Sequence, residues 1–337
     1  MINGHGDDLY RFGGVRINFS SNIYSHFDHS GLFRFLSGRL GGIANYPEPV
    51  PYSLEKELAA RHGTAAENVL AANGATEAIY LIAGAWQGAK SLILKPTFSE
   101  YADACRMHGH EVYGIRDVCE IRNARSLAWI CNPNNPTGAV IDKRRLLSLA
   151  RDCPHVLFVF DQSYWAYTAK ETVDASEAVA MPNVVLIYSM TKDYAVPGLR
   201  IGYMVANAGI ISMVGRRRMP WSVNQLAVEA GKYLLAHSGD YHIDAAVLCE
   251  ERRRVAGRLD ELGVATYPSD SNILLCRLPF GTAGSLKQRL AERYGILIRD
   301  AGNFDGLDAR HFRIAVQTAE DDDDLLKAIN EILTDDK

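Results

Sequence analysis

The sequence predicts an α/β fold with a mainly parallel sheet and helices on both of its faces. From about residue 68, short apolar segments rich in β-branched residues alternate with longer helical segments, which is the pattern of βαβ units. Some of these segments are apolar throughout, as in residues 156–160, which is typical of strands covered on both faces. Polar residues with catalytic chemistry follow directly after several of the segments.

The predicted strands of this first part are short and are separated by helical stretches. In chain order they are residues 68–72, 91–94, 111–115, 126–131, 156–160, 184–188 and 201–205. In open α/β sheets, ligands bind at the carboxyl ends of the strands. We therefore expect the polar residues that follow these strands to converge on one pocket.

After about residue 222 the composition changes. A long helical stretch, residues 227–262, is followed by strand candidates at 273–278, 296–299 and 312–316, and by a terminal helix at about 321–333. This order predicts a smaller α/β domain that a long helix joins to the first part. The predicted division is an N-terminal arm, residues 1–30, that packs with the small domain, a large domain, residues 31–225, and the small C-terminal domain, residues 226–337.

Composition and charge exclude several classes of protein. The 337 residues carry 36 Lys and Arg against 40 Asp and Glu, a net charge of -4, and the basic residues are scattered outside two arginine triplets. We expect no nucleic-acid partner. No segment approaches the roughly 18 apolar residues of a membrane span, and the N-terminus lacks a cationic and apolar leader, so we expect a soluble protein without a membrane partner.

Cysteine usage indicates a reducing compartment. The 6 cysteines form no C-x-x-C pair, and several lie in apolar runs where a free thiol behaves as a small hydrophobic group. We therefore expect a cytoplasmic protein, and we predict no metal site.

Lys192 is the residue with the clearest chemical meaning. It follows the strand at residues 184–188, with Ser189 before it and Arg200 after it. A lysine at a strand end can hold an aldehyde as a Schiff base while a neighbouring hydroxyl and arginine bind a phosphate. Pyridoxal 5'-phosphate carries both groups. The same S-x-x-K spacing also occurs in serine hydrolases that use a lysine base, so this run alone leaves both chemistries open.

Asp161 and Tyr164 are presented at the end of a buried strand. In a pyridoxal enzyme, an aspartate beside the pyridine nitrogen keeps that nitrogen protonated, which makes the ring an electron sink. A tyrosine hydroxyl there can donate to the ring oxygen. By itself, an aspartate after a strand is more commonly a cap for the next element.

Two further segments can hold the cofactor. Gly74, Ala75 and Thr76 follow a strand and open a helix, where backbone N–H groups and a hydroxyl can bind a phosphate. Asn135 lies in a proline-rich polar turn that can hold an amide against a ring oxygen, although such turns are also common loops. Phe98 can stack on the ring, although an aromatic residue at a strand end is more often part of a core.

Taken together, these segments resemble the fold-type I pyridoxal phosphate family, the aspartate aminotransferase superfamily, over nearly the whole chain. The resemblance rests on the order of G-A-T-E, N-P-N-N-P-T-G, D-Q-S-Y and S-M-T-K-D-Y-A-V-P-G-L-R-I-G-Y. It implies Lys192 as the Schiff-base lysine, with Asp161 at the ring nitrogen. It places Asn135 and Tyr164 at the ring oxygen and stacks Phe98 on the ring.

The resemblance also implies the remaining contacts. The cofactor phosphate is expected among Ala75, Thr76, Ser189 and Arg200. Family members are homodimers whose sites border the interface, and Tyr46 resembles the tyrosine that the partner subunit contributes. Arg313 resembles the arginine that holds the substrate α-carboxylate.

Within the superfamily, the chain resembles two sister groups, the histidinol-phosphate aminotransferases and the threonine-phosphate decarboxylases of cobalamin biosynthesis. Residues 3–7, 18–23, 219–224 and 298–308 favour the decarboxylases. The implied contacts to a phosphorylated amino acid are His5, Gly6, Asn22, Asn135, Arg299 and Arg313. Asp7 departs from the usual His-Gly-Gly pattern, and an inward carboxylate there would weaken phosphate binding.

The resemblance therefore implies decarboxylation of L-threonine O-3-phosphate to (R)-1-amino-2-propanol O-2-phosphate. An aminotransferase that acts on histidinol phosphate is the alternative. A non-catalytic pyridoxal phosphate-binding regulator is a distant alternative, because the chain has no helix-turn-helix extension.

Overall fold

The computed structural model describes residues 7–121 and 126–335, so His5 and Gly6 lie outside the described residues. The predicted α/β class is confirmed. The helices are α1 Ser30–Ser37, α2 Tyr52–His62, α3 Gly74–Ala85, α4 Glu100–Met107, α5 Lys143–Asp152, α6 Ala175–Val179, α7 Met190–Asp193, α8 Ala208–Gly215, α9 Gln225–Ala236, α10 Ala245–Glu261, α11 Ala283–Tyr294 and α12 Ala319–Asp335.

The strands are mostly short. They are β1 Ile17–Asn18, β2 Val69–Ala72, β3 Lys90–Leu94, β4 Glu111–Ile115, β5 Ser126–Cys131, β6 Val156–Asp161, β7 Val184–Ser189, β8 Gly202–Ala206, β9 Ala265–Thr266, β10 Ile273–Arg277, β11 Ile296–Leu297, β12 Arg299–Asp300 and β13 His311–Ala315. Among the described residues, no helix combines the length and the apolar character that a membrane crossing requires.

A seven-stranded sheet in the described part of the chain forms the centre of the molecule, in the order β2-β8-β7-β6-β5-β3-β4. The pairs from β7 to β4 are parallel, and β8 is antiparallel to both β2 and β7. Every residue of β5, β6 and β7 is buried, because helices cover both faces of the sheet. The parallel strands therefore present the residues that follow them along one edge.

A second, antiparallel sheet has the order β12-β13-β10-β9. Its register places Arg299 of β12 directly opposite Arg313 of β13. Near the N-terminus, β1 pairs in parallel with β11, with Ile17 opposite Ile296. This pairing ties the N-terminal arm to the C-terminal part of the chain and brings the residues after β1 towards both sheets.

The prediction of one long helix over residues 227–262 is wrong. The stretch forms α9 and α10, with a 3-10 helix at Ser238–Tyr241 between them. The side chain of Asp244 accepts hydrogen bonds from Ala246 N at 3.0 Å and Val247 N at 3.1 Å, which starts a new helix. Helical composition alone did not reveal this cap within the stretch.

The predicted strand at residues 296–299 is also divided. Ile296–Leu297 pairs with β1, whereas Arg299–Asp300 pairs with β13. The two short strands therefore belong to different sheets. Pairing partners that are distant in sequence decided this division.

A buried ion pair joins α2 to the edge strand β2. Glu55 Oε1 accepts a hydrogen bond from Arg218 Nη1 at 2.5 Å and one from Ala71 N at 3.1 Å. Arg218 Nη1 also donates to Ala71 O at 3.1 Å. Although it belongs to an arginine triplet that is typical of a solvated surface, the Arg218 side chain is only 8% exposed. It therefore stabilises the edge of the central sheet.

We predict that Arg218→Leu lowers the free energy of unfolding by about 3–5 kcal/mol, because it leaves the Glu55 carboxylate buried without its cation. The exposed neighbour Arg217 is the matched control, and Arg217→Leu is expected to change the free energy of unfolding by less than about 0.5 kcal/mol. Urea denaturation of both variants measures the difference. Equal effects would show that the ion pair has no special role.

Candidate active site

A cavity of about 260 Å³ lies at the edge of the central sheet where β5, β6 and β7 end. The structure brings most of the predicted site residues together around it. Those that line it are Asn22, Ala75, Thr76, Phe98, Asn135, Asp161, Tyr164, Ser189, Lys192, Arg200 and Arg313. Residues from the N-terminal arm, the central sheet and the second sheet therefore share one site.

Lys192 lies in α7, directly after β7. Its Nζ donates a hydrogen bond to Ser21 O at 2.5 Å and lies 5.8 Å from the centre of the Tyr164 ring. Burial, together with the positive charge of Arg313, lowers the pKa of Lys192 to about 7. The amine can therefore act as a nucleophile near neutral pH. Because the hydrogen bond of Lys192 goes to Ser21 and not to Ser189, the geometry does not favour a serine hydrolase.

Asp161 is the last residue of β6 and is buried. Its Oδ2 accepts a hydrogen bond from the Tyr101 hydroxyl at 2.6 Å, and its Oδ1 accepts one from Ser163 N at 2.9 Å. Burial raises the pKa of this carboxyl group, while the hydrogen bonds from Ser163 and Tyr101 and the charge of Lys192 oppose the rise. The 3-10 helix that follows has Tyr164 as its N-cap residue, so Asp161 is not that helix's cap. A buried carboxylate of this kind suits a cationic ring nitrogen.

One end of the cavity has groups that suit an anion. The helix α3 begins at Gly74, which has a φ of +82°, and a Cβ there would lie 2.5 Å from Arg200 Nη2. A Cβ on Gly202 would collide with the backbone N of Ala75. These two glycines therefore let Arg200 and β8 pack closely against the first turn of α3. The N–H groups of that turn and the guanidinium of Arg200 form an anion site.

The other end of the cavity holds Arg313, which is buried in β13. Its Nη1 donates to Asn135 Oδ1 at 2.6 Å, and its Nη2 donates to Ser20 O. Among the described residues, its Nε has no hydrogen-bond partner. Burial lowers the pKa of Arg313 to about 9, which reflects the cost of keeping this cation out of water. An anionic ligand would offset that cost.

Asn22 and Tyr164 line the same cavity and contact each other. Asn22 Nδ2 donates to the Tyr164 hydroxyl at 3.2 Å, while Asn22 Oδ1 is buried without a partner in the described part of the chain. Burial raises the pKa of Tyr164 to about 12, so its hydroxyl keeps its proton and can donate a hydrogen bond to a ligand oxygen.

Three of the predicted residues that the structure describes do not line this cavity. Gly74 begins α3 beside it. Arg299 lines a neighbouring cavity of about 290 Å³, to which Phe98, Asn135 and Arg313 also belong. Tyr46 is 85% exposed, and its ring lies 5.3 Å from that of Trp221. Within one chain, Tyr46 therefore does not reach the site.

Sequence reasoning missed contributors to the site. Tyr101 holds the carboxylate of Asp161, and the carbonyls of Ser20 and Ser21 hold Arg313 and Lys192. Tyr101 lies three residues after Phe98, near the start of α4, which was a usable signal. The carbonyl of Ser21 had no signal, because any residue type can supply one.

The residues present fit pyridoxal 5'-phosphate. A partly neutral amine suits the aldehyde, a buried carboxylate suits the ring nitrogen, and a glycine-lined helix start suits the phosphate. Phe98 adds an aromatic side chain to the cavity wall. The buried atoms without partners, Asn22 Oδ1 and Arg313 Nε, are suited to polar groups of a ligand.

The chain belongs to the aminotransferase class I and II family, whose profile matches residues 15–332. Members of this family depend on pyridoxal phosphate, which confirms the predicted cofactor. The chain is 32% identical to the threonine-phosphate decarboxylase of Salmonella typhimurium over 334 residues, which covers 94% of this chain and 91% of that protein. It is 29% identical to a histidinol-phosphate aminotransferase of Caldanaerobacter subterraneus over 304 residues, covering 86% and 84%.

The fold is similar to that of solved structures with these names. The L-threonine-O-3-phosphate decarboxylase of Porphyromonas gingivalis superposes with a TM-score of 0.91 at 37% identity, and the match covers 94% of this chain and 99% of that chain. The predicted family and fold are confirmed.

We predict that Lys192 of the cofactor-free protein titrates with a midpoint at about pH 7, against about 10.4 for an unperturbed lysine. Acylation by acetic anhydride across a pH series, read by mass spectrometry, measures this midpoint. Because Arg313 lowers the pKa, Arg313→Gln is expected to raise the midpoint. A midpoint near that of the surface lysines would contradict the assignment.

Proposed function

We propose that this protein catalyses the pyridoxal phosphate-dependent decarboxylation of L-threonine O-3-phosphate to (R)-1-amino-2-propanol O-2-phosphate, in cobalamin biosynthesis. The observation that carries the proposal is the pairing of Arg299 with Arg313 on adjacent antiparallel strands. The likeness to two proteins named threonine-phosphate decarboxylase, at 32% and 37% identity, supports it.

Two arginines that lie directly opposite each other require an explanation. Like charges at such positions destabilise a sheet, and both side chains are buried. Burial lowers the pKa of each, and the charge of Arg299 lowers that of Arg313 further. A substrate with two anionic groups would relieve this repulsion, because a carboxylate can bind Arg313 and a phosphate can bind Arg299.

Each residue of the site has a distinct task in this proposal. When bound, the cofactor supplies an electron sink for the electron pair that remains when carbon dioxide leaves. Arg313, oriented by Asn135 and Ser20, holds the substrate carboxylate. Lys192, with a pKa of about 7, can take up a proton and deliver it to the substrate Cα. Tyr164 keeps its hydroxyl proton and donates a hydrogen bond to an oxygen in the cavity.

We further infer a homodimer in which Tyr46 reaches the site of the partner subunit. Large apolar side chains near Tyr46 are exposed, and Tyr46 packs against Trp221 on this surface. These exposed side chains are Leu40, Ile43, Val50, Tyr52, Met219 and Trp221. A surface of this composition is typical of a subunit interface.

A cytoplasmic location is part of the proposal. All six cysteines are free, and Cys105, Cys131, Cys249 and Cys276 are buried. Free thiols persist in a reducing compartment.

The deciding experiment supplies the cofactor-loaded protein with L-threonine O-3-phosphate and no 2-oxo acid. We expect sustained release of carbon dioxide and aminopropanol phosphate. The decarboxylase is excluded if no carbon dioxide forms and the amino group of histidinol phosphate is transferred to 2-oxoglutarate. That second result would identify a histidinol-phosphate aminotransferase with the same Lys192 site.

Asp7, which departs from the His-Gly-Gly pattern of the related decarboxylases, is expected to affect the same reaction. Asp7 lines the cavity, and its Oδ1 accepts a hydrogen bond from Asn18 Nδ2 at 2.6 Å. Its charge raises the pKa values of Lys192 and Arg313. The carboxylate therefore lies close enough to these cations to compete with an anionic substrate.

We predict that Asp7→Asn lowers the KM for L-threonine O-3-phosphate by about two- to fivefold, because an exposed charge of this kind contributes less than about 1 kcal/mol. Asparagine also tolerates the φ of +63° at this position. Asp28→Asn, outside the cavity, is the control and leaves KM unchanged. A higher KM for Asp7→Asn would indicate that Asp7 helps substrate binding.

A further inference from the structure

The second cavity, of about 290 Å³, adjoins the first through the residues that both share, Phe98, Asn135 and Arg313. Besides Arg313, three basic residues from separate parts of the chain line it. Lys95 follows β3 of the central sheet, Arg299 belongs to β12 of the second sheet, and Arg106 belongs to α4 and is 64% exposed. The two more buried cations, Lys95 and Arg299, therefore come from different sheets and line one cavity beside the cofactor site.

Lys95 is held so that its ammonium reaches this cavity. Its backbone N donates to Ile115 O at 2.9 Å, which continues the pairing of β3 with β4. Its side-chain stem passes over Gly114, where a Cβ would lie 3.3 Å from Lys95 Cγ. The side chain is only 14% exposed, because it lies against the sheet edge and does not extend into solvent.

The ammonium of Lys95 is poorly compensated. Within the described residues, its ion pair is with Asp305 Oδ2 at 4.0 Å, beyond hydrogen-bond distance, and the Asp305 side chain is 67% exposed. Burial lowers the pKa of Lys95 more than the charge of Asp305 restores it. A mostly buried lysine with a distant, exposed carboxylate is a suitable partner for a stronger anion.

We propose that Lys95 is a specificity-determining residue that binds the phosphate of the substrate from the wall opposite Arg299. The inference rests on the proposed function and adds to it a residue that contacts the phosphate. Arg313 would then hold the carboxylate at the junction of the two cavities, and the phosphate would extend into the second one. Asp305 is exposed enough to turn to water when the phosphate binds Lys95.

The inference is tested on cofactor-loaded protein by absorbance titration with O-phosphoethanolamine, an amine that carries a phosphate and no carboxylate. Lys95→Met is expected to weaken its binding by about 10- to 100-fold, the effect of losing a charge-assisted hydrogen bond. The KM for L-threonine O-3-phosphate rises by a similar factor. Lys95→Arg retains a cation, so it stays within about threefold of the wild type.

Two further variants separate a phosphate contact from a structural role. Lys90→Met removes a lysine from the other end of β3, outside the cavity, and leaves binding unchanged. Asp305→Asn removes the competing carboxylate, so it strengthens the binding of O-phosphoethanolamine. If Lys95 only stabilised the fold through Asp305, Lys95→Met and Asp305→Asn would both weaken binding, and that result overturns the inference.

The test also separates this inference from the proposed function. If the wild type releases carbon dioxide but Lys95→Met binds and turns over normally, the decarboxylase stands and the role of Lys95 is wrong. If the wild type releases none, but Lys95→Met and Lys95→Arg show the expected loss and retention of O-phosphoethanolamine binding, the phosphate contact is supported without that function.

Discussion

The burial of Lys192, Arg299 and Arg313 around one pair of cavities is the constraint on which the site depends. Burial lowers the pKa of each of these groups, and the charge of Arg313 lowers that of Lys192 further. The fold tolerates the charges because Asn135, Asn303 and the carbonyls of Ser20 and Ser21 accept their hydrogen bonds. An anionic ligand would offset the remaining cost of burying these cations. Burial, together with the charge of Arg313, keeps the amine of Lys192 partly neutral.

The scaffold meets this constraint by dividing the site among three segments. The buried strands β6 and β7 form a rigid centre, and they place Asp161 and Lys192 at a shared edge. The second sheet brings Arg313 to that edge, and the N-terminal arm adds Asn22. Since the arm is anchored by the pairing of β1 with β11, the segments depend on one another for position. A substitution in the arm is therefore expected to alter the reactivity of the site residues at the edge of the central sheet.

The two cavities adjoin each other and differ in the groups that line them. The first contains the amine, the acid and the helix start that suit the cofactor, and the second contains Lys95, Arg106 and Arg299, which do not line the first. Arg313 lies where they meet, so a ligand bound there is aligned between them. Asp7 adds a negative charge to the first cavity, where it acts on Lys192 and Arg313. Under the proposed function, substrate choice therefore depends on the balance of charges at a few atoms, since the fold itself is similar to solved structures of both a decarboxylase and an aminotransferase.

The sequence by itself determined the class of fold and the core of the site, because both are encoded locally. An apolar run predicts a buried strand, and the residues that follow it, such as Asp161 and Lys192, lie at the edge of a parallel sheet. Tertiary structure decided what depends on pairing between distant segments. It turned Arg218 inward to Glu55, divided residues 296–300 between two sheets, and set Arg299 opposite Arg313. Register and burial arise from contacts far apart in the chain, which no local pattern contains.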